Sequence, residues 1–241
     1  MSPSSHSPIT LLVFNPMSEQ HLDQIRQHAT VIYAPTAAQR TQAVAERGAE
    51  VDAVLTIGSI GLTADEVATM PRLRLACTLG AGYEGLALDA LKARGAIVAT
   101  GAGTNDTSVA DHTFGLILAT MRNFRSLDQQ ARAGVDRFTI PHPPGVSGKK
   151  LGIIGLGHIG LKIARRAAGF DMPVGYHNRK PKADVQHPYF DSVLALATWA
   201  DVLVCATPGG AGTRHLVNAE VLRALGSQGY LINIARGSVV D

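Results

Sequence analysis

The sequence predicts an α/β protein built from doubly wound parallel sheets. Three observations carry that prediction. Short apolar runs alternate with helical patterns almost from the first residues, an order that implies parallel pairing through right-handed crossovers. The composition is 46% hydrophobic but only 5% aromatic, with 25 glycines, which suits close packing of helices on sheets. A glycine-rich hexapeptide at 155–160 also stands between an apolar run and an amphipathic helical pattern.

The elements follow in order. "ITLLVF" (9–14) reads as a strand and "EQHLDQIRQH" (19–28) as a helix. "TVIYA" is a second strand, "AAQRTQAVAERG" a helix ending at Gly48, and "VDAVLTI" (51–57) a third strand. A short helix near 63–70, a strand "LRLACTL" (73–79), a helix "LDALKARG" and a strand "AIVAT" complete a first unit. The stretch 105–133 offers Asn, Asp, Thr and Ser as N-caps and then one long helical pattern, stopped by Gly134. Residues 135–149 are rich in Pro and Gly and read as an exposed arm. The strand–helix alternation restarts at residue 150 with "KLGIIGLGHIGLKIARRAAGF". It continues through strand "PVGYHN", helix "SVLALATWA", strand "DVLVCAT", helix "NAEVLRAL" and strand "GYLINIA". The boundaries divide the chain into 1–102 and 103–241, with the helix and arm at 105–150 as the bridge.

Bulk properties narrow the function. With 241 residues the chain is long enough for one large or two small domains with a real core. The net charge of +3, without any block of like charges, points toward a small anionic ligand and away from a nucleic-acid surface. No apolar run is long enough to span a membrane. The opening "MSPSSHSP" has no apolar core of a signal peptide and reads as a frayed tail, so the expected compartment is the cytoplasm. The two cysteines, Cys77 and Cys205, lie in apolar runs and read as reduced core thiols, and no residue cluster suggests a metal.

"GLGHIG" carries the chemistry. Gly155 permits a tight turn, Gly157 allows a pyrophosphate to approach the backbone, and Gly160 lets helix and strand pack closely. The helix that starts at His158 and Ile159 supplies free N–H groups and the positive end of a dipole. His158 fits either a phosphate ligand or a solvated surface residue. "GVSGKK" (145–150) resembles a P-loop only superficially, because a strand follows it where a helix should.

The second strand after the turn ends in "YHNRK". An acidic residue there, about 20 residues past the turn, holds the ribose diol of NAD. Asn178, Arg179 and Lys180 stand in its place and suit the 2′-phosphate of NADP. NADP(H) is therefore favoured, and Asp184 keeps NAD(H) open.

Taken together, "LGAGYEGL", "NDTSVADHTFGLILATMRN", "LGIIGLGHIG", "YHNRK", "DVLVCATPGGAGTRHLVN" and "INIARGSVVD" resemble the D-isomer-specific 2-hydroxyacid dehydrogenases, most of all the NADPH-linked hydroxypyruvate/glyoxylate reductases. The resemblance covers nearly the whole chain. It implies two Rossmann-like domains, a flavodoxin-like substrate-binding one (1–102) and an NAD(P)-binding one (103–241) that is incomplete. It implies that Gly80, Ala81 and Gly82 hold the substrate carboxylate, although an ordinary strand-to-helix turn fits these residues too. Val109 matches a position packed on the nicotinamide, and equally a core residue of a helix start. Ala206, Thr207 and Pro208 match a loop lining the cofactor, Thr213 a support of that loop, and Ile234 and Ala235 neighbours of the nicotinamide. Arg236 matches the catalytic arginine, expected at the carboxyl end of a parallel strand.

The resemblance also implies a proton-donating histidine paired with a glutamate, both downstream of the "ARG" segment. None of the nine histidines occupies that place, so the chain reads as truncated, with its last strand an exposed sheet edge. The expected activity is reduction of a small 2-oxo acid to the D-2-hydroxy acid by a homodimer joined through 105–150. The rival is a dinucleotide-binding module without turnover.

Overall fold

The computed structural model describes residues 8–241, so the reading of the N-terminal tail lies outside it. The chain divides into two compact units, one ending at Thr104 and the other beginning at Asn105.

The first unit runs β1 (Ile9–Val13), α1 (Glu19–Arg26), β2 (Ala29–Tyr33), α2 (Ala37–Arg47), β3 (Ala53–Thr56), α3 (Ala64–Ala68), β4 (Leu75–Thr78), α4 (Leu88–Arg94) and β5 (Ile97–Thr100). All five strands are parallel, in the order β2-β1-β3-β4-β5. That is the flavodoxin-like winding order. Side chains alternate across the sheet. Leu12, Ile32, Val54 and Ala76 fall in one buried cluster with Val67 of α3 and Leu91 of α4. The opposite register of Leu11, Ala53 and Leu75 lines an apolar groove with Ile25 of α1. Cys77 shares that less covered register and is half-buried rather than a core thiol. Helix starts are set by short polar side chains: Thr36 and Thr63 each close a capping box, with Gln39 and Glu66.

The second unit runs α5 (Asp106–Met121), α6 (Phe124–Arg132), β6 (Leu151–Ile154), α7 (His158–Ala167), β7 (Val174–His177), α8 (Val193–Trp199), β8 (Val202–Cys205), α9 (Ala219–Leu225) and β9 (Tyr230–Asn233). Its strands are parallel, in the order β7-β6-β8-β9. Leu151, Ile153, Val202 and Val204 pack with Phe114 and Ile117 of α5 and Ile163 of α7. The alternate residues Ile154, Leu203 and Cys205 pack with Leu196 of α8 and Val221 of α9. Both faces of this sheet are thus covered, which is why its strands read as unbroken apolar runs. Among the described residues, no helix is long and apolar enough to cross a membrane.

Three expectations change. The long helix of 105–133 is two helices, broken at Asn123, whose φ of 53° is left-handed, a conformation asparagine tolerates better than most residues. Asn105 precedes the first of them without a side-chain cap bond. The segment 135–149 is not wholly an exposed arm: Arg122 donates to Pro143 O at 3.2 Å, and Val146 is buried in the core. The last strand ends at Asn233, not Ala235, so Arg236 lies in a loop beyond it. β9 does form one edge of its sheet. The residues after it pair on: Val217 N–H donates to Val239 O and Asp241 N–H to Val217 O, each at 3.0 Å.

Candidate active site

The glycine turn lies at the carboxyl end of β6, where the chain winds to β7 on one side and to β8 on the other. Such a switch point leaves a crevice at the strand ends. Gly155 has φ of 100°, and a Cβ there would stand 2.8 Å from Ala206 O, the first residue after β8. A Cβ on Gly160 would come within van der Waals radii of Gly155 O, so the helix sits hard against the turn. Gly157 differs, because a Cβ there meets nothing within 4 Å. Gly155 and Gly160 serve internal packing, whereas Gly157 keeps space open outside the turn. Gly157 is also the N-cap of α7 and no side chain caps the helix, so the first N–H groups of α7 are available to an anion.

Around the helix start, His158 is well exposed, with Nδ1 4.0 Å from the Asp106 carboxylate. Asp106 is buried in the first turn of α5, where the helix dipole favours a negative charge. Lys162 Nζ donates to Thr107 Oγ1 at 3.0 Å and Arg166 Nε to Asp111 Oδ1 at 2.6 Å, fastening α7 to α5. Val109 is half-buried on the same first turn of α5, and Ile159 packs against the core.

The basic loop after β7 is tied to the turn. Asn178 Oδ1 accepts the Leu156 N–H at 2.7 Å, and Lys182 Nζ donates to Leu156 O at 3.2 Å. Asn178 therefore has its acceptor engaged inside the protein, while Arg179 and Lys180 are exposed. Sequence spacing placed all three together, but their environments differ. Lys182 and Tyr176, whose hydroxyl accepts the Lys182 N–H at 2.9 Å, were not singled out by sequence. The only signal was a third cation within four residues.

After β8, Ala206, Thr207 and Pro208 run beside the turn. Thr213 Oγ1 donates to Pro208 O at 2.8 Å and holds that loop closed. Thr207 Oγ1 is buried without a hydrogen-bond partner among the described residues. A buried hydroxyl left so is costly unless something else satisfies it. With the open face of Gly157 and the uncapped α7, it shows that the donor set around this turn fits a dinucleotide. Deeper down, burial pushes the Cys205 thiol up to about 12, which marks it as a packing residue.

Ile234, Ala235 and Arg236 follow β9. Asn233 shapes this loop twice: its Oδ1 accepts the Ala235 N–H at 3.0 Å and its Nδ2 donates to Arg236 O at 2.9 Å. Arg236 is half-buried and one guanidinium nitrogen donates to Ala235 O at 2.9 Å. Asn233 is the residue sequence reading missed here. An Asx turn after an apolar run was its signal.

In the first unit, Gly80 follows β4 with φ of 92°, and its carbonyl accepts the Gly101 N–H at 2.8 Å. No described residue accepts from the N–H of Ala81 or Gly82. The turn is held by a second glycine pair not picked out from sequence. Gly85 N–H donates to Gly58 O at 3.0 Å, and a Cβ on Gly58 would lie 2.6 Å from the Gly82 carbonyl carbon.

The fold and this turn define a dinucleotide-binding α/β enzyme class, and comparison with known proteins gives the family. Residues 114–241 match the model of the D-isomer specific 2-hydroxyacid dehydrogenase NAD binding domain. The hydroxyphenylpyruvate reductase of Plectranthus scutellarioides is 36% identical over 97% of this chain and 75% of its own. The crystal structure of a 2-hydroxyacid dehydrogenase from Ketogulonicigenium vulgare superposes with a TM-score of 0.87 at 30% identity, over 98% of this chain and 75% of that one. The NADPH-dependent glyoxylate/hydroxypyruvate reductase of Sinorhizobium meliloti, in complex with NADP and malonate, gives 0.84 at 30% identity, over 98% and 73%. The chain belongs to the D-isomer-specific 2-hydroxyacid dehydrogenases.

Proposed function

We propose that the protein reduces a small 2-oxo acid of the hydroxypyruvate or glyoxylate type to the D-2-hydroxy acid, with NADP(H) preferred over NAD(H). The observation that carries this reading is the turn at Gly155–Gly160, open at Gly157, with a cationic loop tied to it. The names of the relatives support the substrate class.

Gly157, the first N–H groups of α7 and His158 hold the pyrophosphate. Arg179 and Lys180 hold the 2′-phosphate. Val109, Ile234 and Ala235 provide apolar walls that keep water from the reacting carbon. The Thr207 hydroxyl gains there the partner it lacks among the described residues. When bound, the nicotinamide supplies the hydride.

Arg236 is the catalytic residue of this reading. Its planar fork binds the substrate carboxylate and carbonyl oxygen and stabilises the negative charge that grows on that oxygen. Within the first unit, the Ala81 and Gly82 N–H groups, with Gly80 supplying the left-handed turn, suit a carboxylate. Each turnover consumes one 2-oxo acid, one reduced nicotinamide and one proton. The assembly is a homodimer: the amphipathic α6 has no buried residue, and Phe124 and the arm's Phe138 are exposed, 81% in the case of Phe138.

The test is nicotinamide absorbance on mixing the protein with NADPH or NADH and glyoxylate, hydroxypyruvate or other small 2-oxo acids. Faster oxidation of NADPH is expected. NADPH binding without oxidation in every mixture would replace the reductase reading with that of a binding module.

A further inference from the structure

The loop after β7 holds a cation that no motif points to. Lys182 lies beyond Arg179, Lys180 and Pro181. Its backbone N–H is anchored on the hydroxyl of Tyr176, a side chain only 1% exposed, and its own side chain crosses back to the glycine turn. The far end of the loop is closed as well. Tyr176 N–H donates to Pro188 O at 2.9 Å, Phe190 N–H donates to Tyr176 O at 2.8 Å, and the Tyr189 hydroxyl donates to Asn178 O at 3.2 Å.

These anchors station the Lys182 ammonium beside the glycine turn, 3.2 Å from Leu156 O. An ammonium has three donors, and the Leu156 carbonyl engages one of them. Between residues 178 and 189 the loop carries Arg179, Lys180 and Lys182 against one acid, Asp184. An excess of positive charge beside a pyrophosphate turn favours a phosphorylated ribose over a free diol.

We infer that Lys182 is a further specificity-determining residue, which joins Arg179 and Lys180 in gripping the 2′-phosphate of NADP(H) while its link to Leu156 O keeps it in place. The inference rests on the NADP(H) reading above. It differs from a purely structural role, in which Lys182 would brace the turn and serve every dinucleotide alike.

Calorimetric titration of the chain with 2′,5′-ADP and with 5′-AMP separates the two roles. The wild-type chain binds 2′,5′-ADP more tightly. Lys182→Met weakens 2′,5′-ADP about tenfold, as expected for one charge-assisted hydrogen bond, and leaves 5′-AMP within about twofold. Lys182→Arg retains most of the preference. Equal weakening of both nucleotides by Lys182→Met, or no weakening of either, overturns the assignment. If Arg179→Met abolishes the preference and Lys182→Met does not, the assignment falls and the NADP(H) reading stands. If the wild-type chain does not distinguish the two nucleotides, both fall.

Discussion

Asn178 Oδ1 accepts a hydrogen bond from the backbone N–H of Leu156 at 2.7 Å, joining the end of β7 to the middle of the glycine turn. Leu156 is fully buried, so its N–H has no recourse to water if that acceptor is removed. Asn178→Ala is expected to cost about 1–3 kcal/mol of stability and to weaken 5′-AMP and 2′,5′-ADP by the same factor. Asn178→Asp keeps the acceptor and adds a negative charge. It should restore the turn and weaken 2′,5′-ADP selectively, as titration of both nucleotides will show.

The glycines of the turn predict opposite phenotypes. Gly155→Ala places a Cβ 2.8 Å from Ala206 O at a φ of 100°, so urea unfolding should show a loss of about 2 kcal/mol or more. At Gly157 the added Cβ meets no protein atom within 4 Å. Gly157→Ala should therefore unfold within about 0.5 kcal/mol of wild type and still lose dinucleotide binding. Normal binding by that variant would contradict the pyrophosphate site.

Replacing Arg236 by Lys preserves the charge and removes the planar fork. If Arg236 holds the carboxylate and carbonyl of a 2-oxo acid, kcat/KM for reduction should fall about 10²-fold or more. Nucleotide affinity should stay unchanged, because the proposed phosphate contacts lie elsewhere. A matching loss of nucleotide affinity would place Arg236 in cofactor binding.

Asp52 predicts an acid-sensitive first unit. Its carboxylate accepts the Thr10 N–H and an Arg72 N–H, each at 3.0 Å, with the carboxylate buried and Arg72 more than half exposed. Burial raises its pKa, but the Thr10 N–H and Arg72 outweigh burial and leave it below the usual aspartate range. A pKa lower in the folded than in the unfolded chain stabilises the fold above the unfolded value, and that stability fades as pH falls through the folded value. Asp52→Asn should cost about 1–2 kcal/mol at neutral pH: its one amide oxygen can still accept the Thr10 N–H, but the negative charge is lost and an NH2 replaces the second acceptor facing Arg72. The gap between variant and wild type in urea unfolding should narrow below about pH 4.

Strand and helix order, the parallel sheets and the glycine turn after β6 were legible because each rests on local pattern. Apolar runs and glycine spacing act over a few residues. The break at Asn123 was not legible, since the helical pattern continues through "MRNFRS" and only the left-handed residue interrupts it. The end of β9 at Asn233 was equally hidden, because Ile234 and Ala235 are apolar like the strand before them.

By itself the sequence determined the two-unit α/β plan, the glycine turn and the family, all written in residue types at fixed spacing. Tertiary structure decided how the residues of one motif divide their labour. Gly155 and Gly160 are spent on packing and Gly157 on open space. Asn178 turns inward to Leu156 while Arg179 and Lys180 face solvent, and Lys182 reaches back across the loop. The physical reason is that hydrogen bonds and steric contacts depend on where distant segments meet. Leu156 and Asn178 come within 2.7 Å because β6 and β7 pair side by side, a proximity that linear spacing does not encode.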